Sequence, residues 1–376
     1  MARNLSGDPR TQSELDGPSI ATPEDDELPQ GSWIGRFLRV VRGQPISDVE
    51  RLRALRKAVR SQDYEEAEKL LMQGAISLAE DQEASLACIA ARRSDFKMLD
   101  LLIRAGIDLN QADRRSRDHK SRTPLMEAAR KGWDEGVDCL LAARAKTEYA
   151  DETGSTALSL AVRGGRETTA RQLLKSGANP NGSATEHNPQ LSPLHEAASE
   201  TLAALLLENG ANPNGRDRQN MTPLHYHARA GRLGVVKMLL EKGADANALD
   251  RNLRSPIFVV GQKGDSLGTL EVLHQAQAKL DLVDKEENTF VHLVCARADD
   301  GRVFEKLAEW VPELFSRQNH LGETPRDILA VRGFREAATS LALTDEDRRK
   351  KGEFVEPARF NLSEAARAKK NVKENL

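Results

Sequence analysis

The stretch Thr222-Pro223-Leu224-His225-Tyr226-His227-Ala228-Arg229-Ala230-Gly231, followed by Met238-Leu239-Leu240-Glu241-Lys242-Gly243-Ala244-Asp245, decides the fold. The threonine hydroxyl can cap exposed amides, and the proline fits a first helical turn, where its missing N–H is not needed. Met238, Leu239 and Leu240 give the apolar spacing of a helix, and Gly243 can take the left-handed conformation that closes one. One unit therefore reads as helix, tight turn, helix, hairpin loop.

The unit recurs at Thr123-Pro124-Leu125, Thr156-Ala157-Leu158, Ser192-Pro193-Leu194-His195, Ser255-Pro256-Ile257 and Thr324-Pro325, with a degenerate copy at Thr289-Phe290-Val291-His292. From Thr123 onward the anchors fall 33, 36, 30, 33, 34 and 35 residues apart, a 33-residue period with small insertions and deletions. The closing signal recurs at Leu101-Leu102-Ile103-Arg104-Ala105-Gly106, at Leu173-Leu174-Lys175-Ser176-Gly177 and at Leu205-Leu206-Leu207-Glu208-Asn209-Gly210. Weaker copies lie over residues 53–75 and 85–107, with Gly74 and Gly106 as register marks, which gives eight units across residues 50–343.

These motifs resemble the ankyrin-repeat family, whose Thr-Pro-Leu-His-x-Ala signature stands almost intact at Ser192–Ala197 and at Thr222–His225. The resemblance implies an all-α, right-handed solenoid of about eight helix-turn-helix repeats with hairpin loops. It also implies a non-enzymatic scaffold that binds a partner protein through its concave face, and it leaves that partner unnamed. His195, His225 and His292 stand at the signature histidine, which the family uses for structural hydrogen bonds. His227 replaces a small alanine of the signature and has two readings, a buried hydrogen-bonded ring or a ligand contact. The unit at Ser192 lacks about three residues and the usual glycine, which predicts a shortened turn between its helices. Insertions within residues 113–120 and 182–190 fall in hairpins.

Composition agrees with a thin array. Only 4% of the 376 residues are aromatic and 30% are charged, which suits stacked Leu/Ala layers better than one thick core. Net charge is −3, so the overall field does not announce a nucleic-acid or membrane protein. Cys88, Cys139 and Cys295 lie far apart without a CxxC pair, which points to buried thiols in a reducing, cytoplasmic compartment. Residues 1–30, with Pro18, Pro23 and Pro29 and the cluster Glu24-Asp25-Asp26-Glu27, read as a disordered acidic segment. In residues 31–49, Trp33, Ile34, Phe37, Leu38 and Val41 share one helical face, which predicts an amphipathic helix. That helix either caps the first repeat or meets a partner or a membrane surface through residues 33–42. Residues 344–376 read as a charged tail.

No phosphate loop, GxSxG, HExxH or EF-hand loop occurs, so neither a cofactor nor a metal is expected. Asn179, Asn212 and Asn247 read as turn residues. Mapped onto the family's binding face, the first-helix ends supply Arg60, Arg92, Arg93, Arg130, Lys131, Arg163, Arg229, Lys263 and Arg332. The fingers, the hairpins ahead of each anchor, supply His119, Lys120, Arg122, Arg218, Arg251, Arg254 and Lys285, with Tyr226 as the one candidate aromatic. Acids on the same face are fewer, so the expectation is a positive groove for an acidic protein surface. The shortage of aromatics for base stacking argues against nucleic acid. The rival readings are a bacterial effector delivered into a host cell that acts by binding, and a regulator of an enzyme. Oligomeric state is not written in the sequence.

Overall fold

The computed structural model describes residues 48–72, 85–113, 121–183, 191–261 and 264–334. The expected acidic segment, the amphipathic helix over 33–42 and the charged tail lie outside the described residues, as do Gly74 and most of both hairpin insertions. Helices come in antiparallel pairs: Asp48–Ser61 with Tyr64–Met72, Leu86–Arg93 with Phe96–Arg104, Pro124–Lys131 with Asp134–Ala142, and Ala157–Arg163 with Glu167–Lys175. Then follow Pro193–Glu196 with Glu200–Glu208, Pro223–Ala230 with Leu233–Glu241, the 3₁₀ turn Pro256–Val259 with Ser266–Gln275, and Phe290–Cys295 with Gly301–Trp310. A 3₁₀ turn, Pro312–Ser316, and the helix Pro325–Val331 close the described array, which holds no strand among the described residues.

First helices pack on first helices and second on second, so the array is two layers deep. The first layer is spaced by small residues, with Ala87, Ala128, Ala129, Ala161 and Ala228 fully buried. Larger side chains from the second helices, such as Leu140, Leu173, Leu206, Leu239 and Phe304, fill the gap between layers. One continuous apolar cluster runs from Leu55 to Leu329, so no repeat buries its apolar face alone.

The anchors start the helices as the sequence leads one to expect. Thr123 Oγ1 accepts from Met126 N–H and Thr156 Oγ1 from Ser159 N–H. In three repeats the signature histidine completes the cap. Nδ1 of His195, His225 and His292 accepts the N–H of Ser192, Thr222 and Thr289 at 3.1 Å, and Nε2–H crosses to the next repeat. There it donates to the carbonyls of Met221 (3.1 Å), Arg254 (3.0 Å) and Glu323 (3.1 Å).

The loops after the second helices carry a parallel ladder. Asn181 Oδ1 accepts from Asn212 N–H, Asn214 Oδ1 from Asp245 N–H and Asn247 Oδ1 from Lys279 N–H, at 2.7–2.8 Å. Asn179 and Asn212 each accept the N–H two residues on, as turn residues do. Gly264 belongs to the turns between helices: its φ is +67°, and a Cβ there would lie 2.6 Å from the Ala230 carbonyl oxygen. Only glycine fits both constraints.

Two repeats depart from the pattern. At Ser192 the deletion removes the last turn of the first helix, which ends at Glu196 with Ala197 already extended. A truncated helix exposes carbonyls, and the next repeat satisfies them: His227 Nε2–H donates to Leu194 O at 2.8 Å, while Arg232 reaches Ala197 O at 3.4 Å and His227 Nδ1 at 3.4 Å. The unusual histidine and the deletion are thus one feature, and the ring is buried and hydrogen-bonded. At Ser255, where the anchor predicts a helix, the chain makes only the 3₁₀ turn Pro256–Val259. Val259, Val260 and Gly261 are poor helix formers, and Arg297 of the next repeat takes up Phe258 O at 2.7 Å.

His227→Ala removes that donor and opens a cavity, so it should lower stability by about 2–4 kcal/mol. The urea midpoint reads it, and a loss below about 0.5 kcal/mol, the scale of a neutral surface change, contradicts the compensation.

Candidate partner-binding surface

Each regular finger is built on a buried acid or amide five residues before the anchor. Oδ1 of Asp217 accepts the N–H groups of Gln219 and Met221, both at 2.8 Å. Asp250 holds Asn252 and Arg254 in the same way, Asp284 holds Glu286 and Asn288, and Asn319 holds Leu321 and Glu323. The carboxylate thereby ties the tip into a tight loop. The residue two before the anchor takes positive φ: Gly154, Asn220, Leu253, Glu287 and Gly322.

Consecutive tips are joined through their backbones. Arg251 N–H donates to Gln219 O at 2.9 Å, Lys285 N–H to Asn252 O at 3.1 Å, and His320 N–H to Glu286 O at 3.2 Å. The tips from Arg218 to His320 therefore form one braced edge.

Most of the mapped basic residues are occupied within the array. Arg92 pairs with Asp113 and, at 3.2 Å, with Glu127; burial works against its charge, but these acids outweigh it and hold the guanidinium above its ordinary value. Arg122 is buried with Nε 3.5 Å from Asp151 and Nη1 3.9 Å from Glu127, and Arg130 lies 3.1 Å from Glu127. Arg93 donates to Arg60 O, and Lys131 to Arg92 O at 2.7 Å. Arg163 meets Glu196 at 2.7 Å, a bond that raises its affinity for the proton. Arg254 bridges Asp284 at 2.8 Å and Glu286 at 3.2 Å. Apart from Arg130–Glu127, which lies within one helix, these contacts link neighbouring repeats, and a partner would meet the cations only in competition with them.

Tyr226 is likewise engaged. Its hydroxyl donates to Asp217 Oδ2 at 2.8 Å, its ring meets His195 edge-on at 5.2 Å, and Arg229 lies over it at 4.9 Å. Burial, then the bond to Asp217, pushes the phenol above its usual range. His119, Lys120 and Lys263 lie outside the described residues.

Arg218, Arg251 and Lys285 differ from all of these. Each follows the finger acid directly, each is exposed, and none has a side-chain partner among the described residues. They stand on three successive tips of the braced edge. The residues that sequence reasoning missed are the buried acids Asp113, Glu127, Asp151 and Asp284, which absorb most of the positive charge. The finger acids Asp151, Asp217, Asp250 and Asp284 recur near the repeat period, and that recurrence was the available signal.

Burial raises the Cys88 thiol to about 12, so this side chain is inert rather than nucleophilic. Among the described residues, no three His, Cys, Asp or Glu side chains gather as a metal site. No helix among them is long and apolar enough to cross a membrane.

Residues 87–184 and 181–250 match the family model for ankyrin repeats. Among solved structures, the chain is similar to the ankyrin repeat domain of Bcl-3, described as a unique member of the IkappaB protein family. That match has 23% identity and a TM-score of 0.50 and covers 59% of this chain and 97% of that one. It is similar to the human ASB11 ankyrin repeat domain at 24% identity and a TM-score of 0.51, covering 58% and 98%. No curated protein matches. At these identities the structural likeness speaks for the fold alone.

The buried charge cluster yields a contrast between two variants. Glu127→Gln leaves Arg122 in the interior with less compensation and should cost about 3 kcal/mol. Arg130→Gln removes a partner whose side chain is 46% exposed and should cost less than about 1 kcal/mol. Thermal unfolding distinguishes them, and equal effects would contradict the assignment of Glu127 as the hub.

Proposed function

The chain belongs to the ankyrin-repeat family, whose domains are in general non-catalytic protein-binding modules, and from that premise we propose that it recognises an acidic surface of a partner protein through Arg218, Arg251 and Lys285. The observation that carries the reading is the contrast in pairing. Among the described residues, most cations elsewhere on the mapped face are tied to acids, carbonyls or a ring, whereas these three successive tips hold theirs open to solvent. Backbone bonds between the tips fix the spacing, so the side chains are presented from a braced edge whose backbone needs little ordering on binding. Charges so placed act chiefly on the encounter rate and on the choice of partner.

The test is affinity capture by the full chain, followed by binding kinetics with the recovered partner. Arg218→Glu, Arg251→Glu and Lys285→Glu together should slow association about tenfold or more, and wild-type affinity should fall with added salt. The melting temperature should barely move, because exposed charges away from buried features contribute within about 0.5 kcal/mol. A triple variant that binds like wild type, with affinity indifferent to salt, would make the three residues solubility devices. The surface would then be sought among apolar finger residues such as Leu321, which is 67% exposed.

A further inference from the structure

The first helix, Asp48–Ser61, carries a second group of open cations, far along the array from the finger row. Arg53, Lys57 and Arg60 fall at i, i+4 and i+7, so they share one face within about 60° and span about 10 Å along the axis. All three are exposed, and none has a side-chain partner among the described residues. Together with Arg56 and Ser61 they line a shallow cleft. Arg93, whose guanidinium donates to Arg60 O, brings a further positive charge to the far end of the stripe. Elsewhere the first-helix cations Arg92, Arg130 and Arg163 are neutralised by acids. Like charges at i and i+4 destabilise an isolated helix, so an uncompensated stripe is unfavourable on stability grounds alone.

We propose that this stripe is the docking surface for the chain's own acidic segment, Glu24-Asp25-Asp26-Glu27. Charge and length both match: four carboxylates in an extended chain cover about 10–13 Å, the span of the stripe. Reach matches as well. The 20 residues from 28 to 47 separate the acids from the start of the helix, and 20 residues can bridge at most about 65–70 Å, well beyond what this contact needs. The stripe starts only about 8 Å along the helix from Asp48, whereas Arg218, Arg251 and Lys285 belong to repeats four to six further along, at about 8–10 Å per packed layer. Because the acids and the stripe belong to one chain, the contact is intramolecular, and ion pairs that are weak singly gain from being made in cis. An acidic partner would have to displace the segment before it could use the N-terminal end of the array. The finger row stays open throughout, so this inference does not depend on the reading of that row.

Zero-length carbodiimide coupling of the full chain, read by mass spectrometry, tests the contact, because it joins only an amine and a carboxylate that touch. The expected product links Lys57 to one of Glu24–Glu27 within a single monomer. Its yield should be at least about tenfold above links from the exposed amine of Lys97, and should collapse in about 0.5 M salt. Arg53→Ser with Arg60→Ser should reduce it in the same way. A second measurement avoids any change to the helix. With Glu24→Gln, Asp25→Asn, Asp26→Asn and Glu27→Gln in place, a synthetic peptide of residues 18–32 added in trans should bind about tenfold tighter than to wild type, whose stripe is already filled. The inference is overturned if Lys57 couples no better than Lys97, if its links appear only between molecules, or if the peptide binds both proteins equally.

Discussion

A neutral imidazole carries the hydrogen bond on which the stacking of several repeats depends. His195, His225 and His292 each accept their own cap's N–H at Nδ1 and donate Nε2–H to a finger carbonyl of the next repeat. Protonating Nδ1 would turn its N–H against the donor it now accepts, and burial disfavours the charge as well. Burial accordingly lowers the proton affinity of all three rings, that of His225 to about 4. His227, whose Nε2 holds the truncated repeat, is likewise lowered to about 4 by burial. Because the unfolded chain takes up protons on His225 and His227 near pH 6.5 and the folded chain only near pH 4, stability falls as pH drops through that window, and the lowered His195 and His292 act in the same direction.

With the carbonyl of one finger pinned by the previous repeat's ring, the finger acid can close its loop and the tips can brace one another. The same economy runs through the charged groups. Arginines at the first-helix ends mostly serve the stacking, by pairing with acids about one repeat away or by taking up carbonyls that shortened helices expose. A cation with no such task then stands out, as do the tips at Arg218, Arg251 and Lys285 and the stripe at Arg53, Lys57 and Arg60. Reading function from this array therefore means subtracting the cations that structure already uses.

The repeat itself was legible because caps and closures are local. Thr123 and Thr222 start helices for reasons contained within four residues, and Gly132 and Gly231 end them with positive φ. The helix predicted at Ser255 shows the limit, since Val259, Val260 and Gly261 override a good cap and the arginine that rescues the exposed carbonyl lies in the following repeat. The face was legible as positions but not as free charge. Arg92 and Arg254 sit where the family's pattern puts binding residues, yet their partners Glu127 and Asp284 are 35 and 30 residues away, beyond any local pattern. His227 was odd in sequence for a reason that only the neighbouring repeat supplies.

The most direct test of this account is the state of the histidines. Long-range proton–nitrogen correlation spectra of the folded chain should show His195, His225, His227 and His292 as neutral Nε2–H tautomers, and His225 and His227 should remain so down to about pH 5. Rings that titrate near 6.5 like exposed histidines, or that carry the proton on Nδ1, would mean that the bonds between repeats are not made this way.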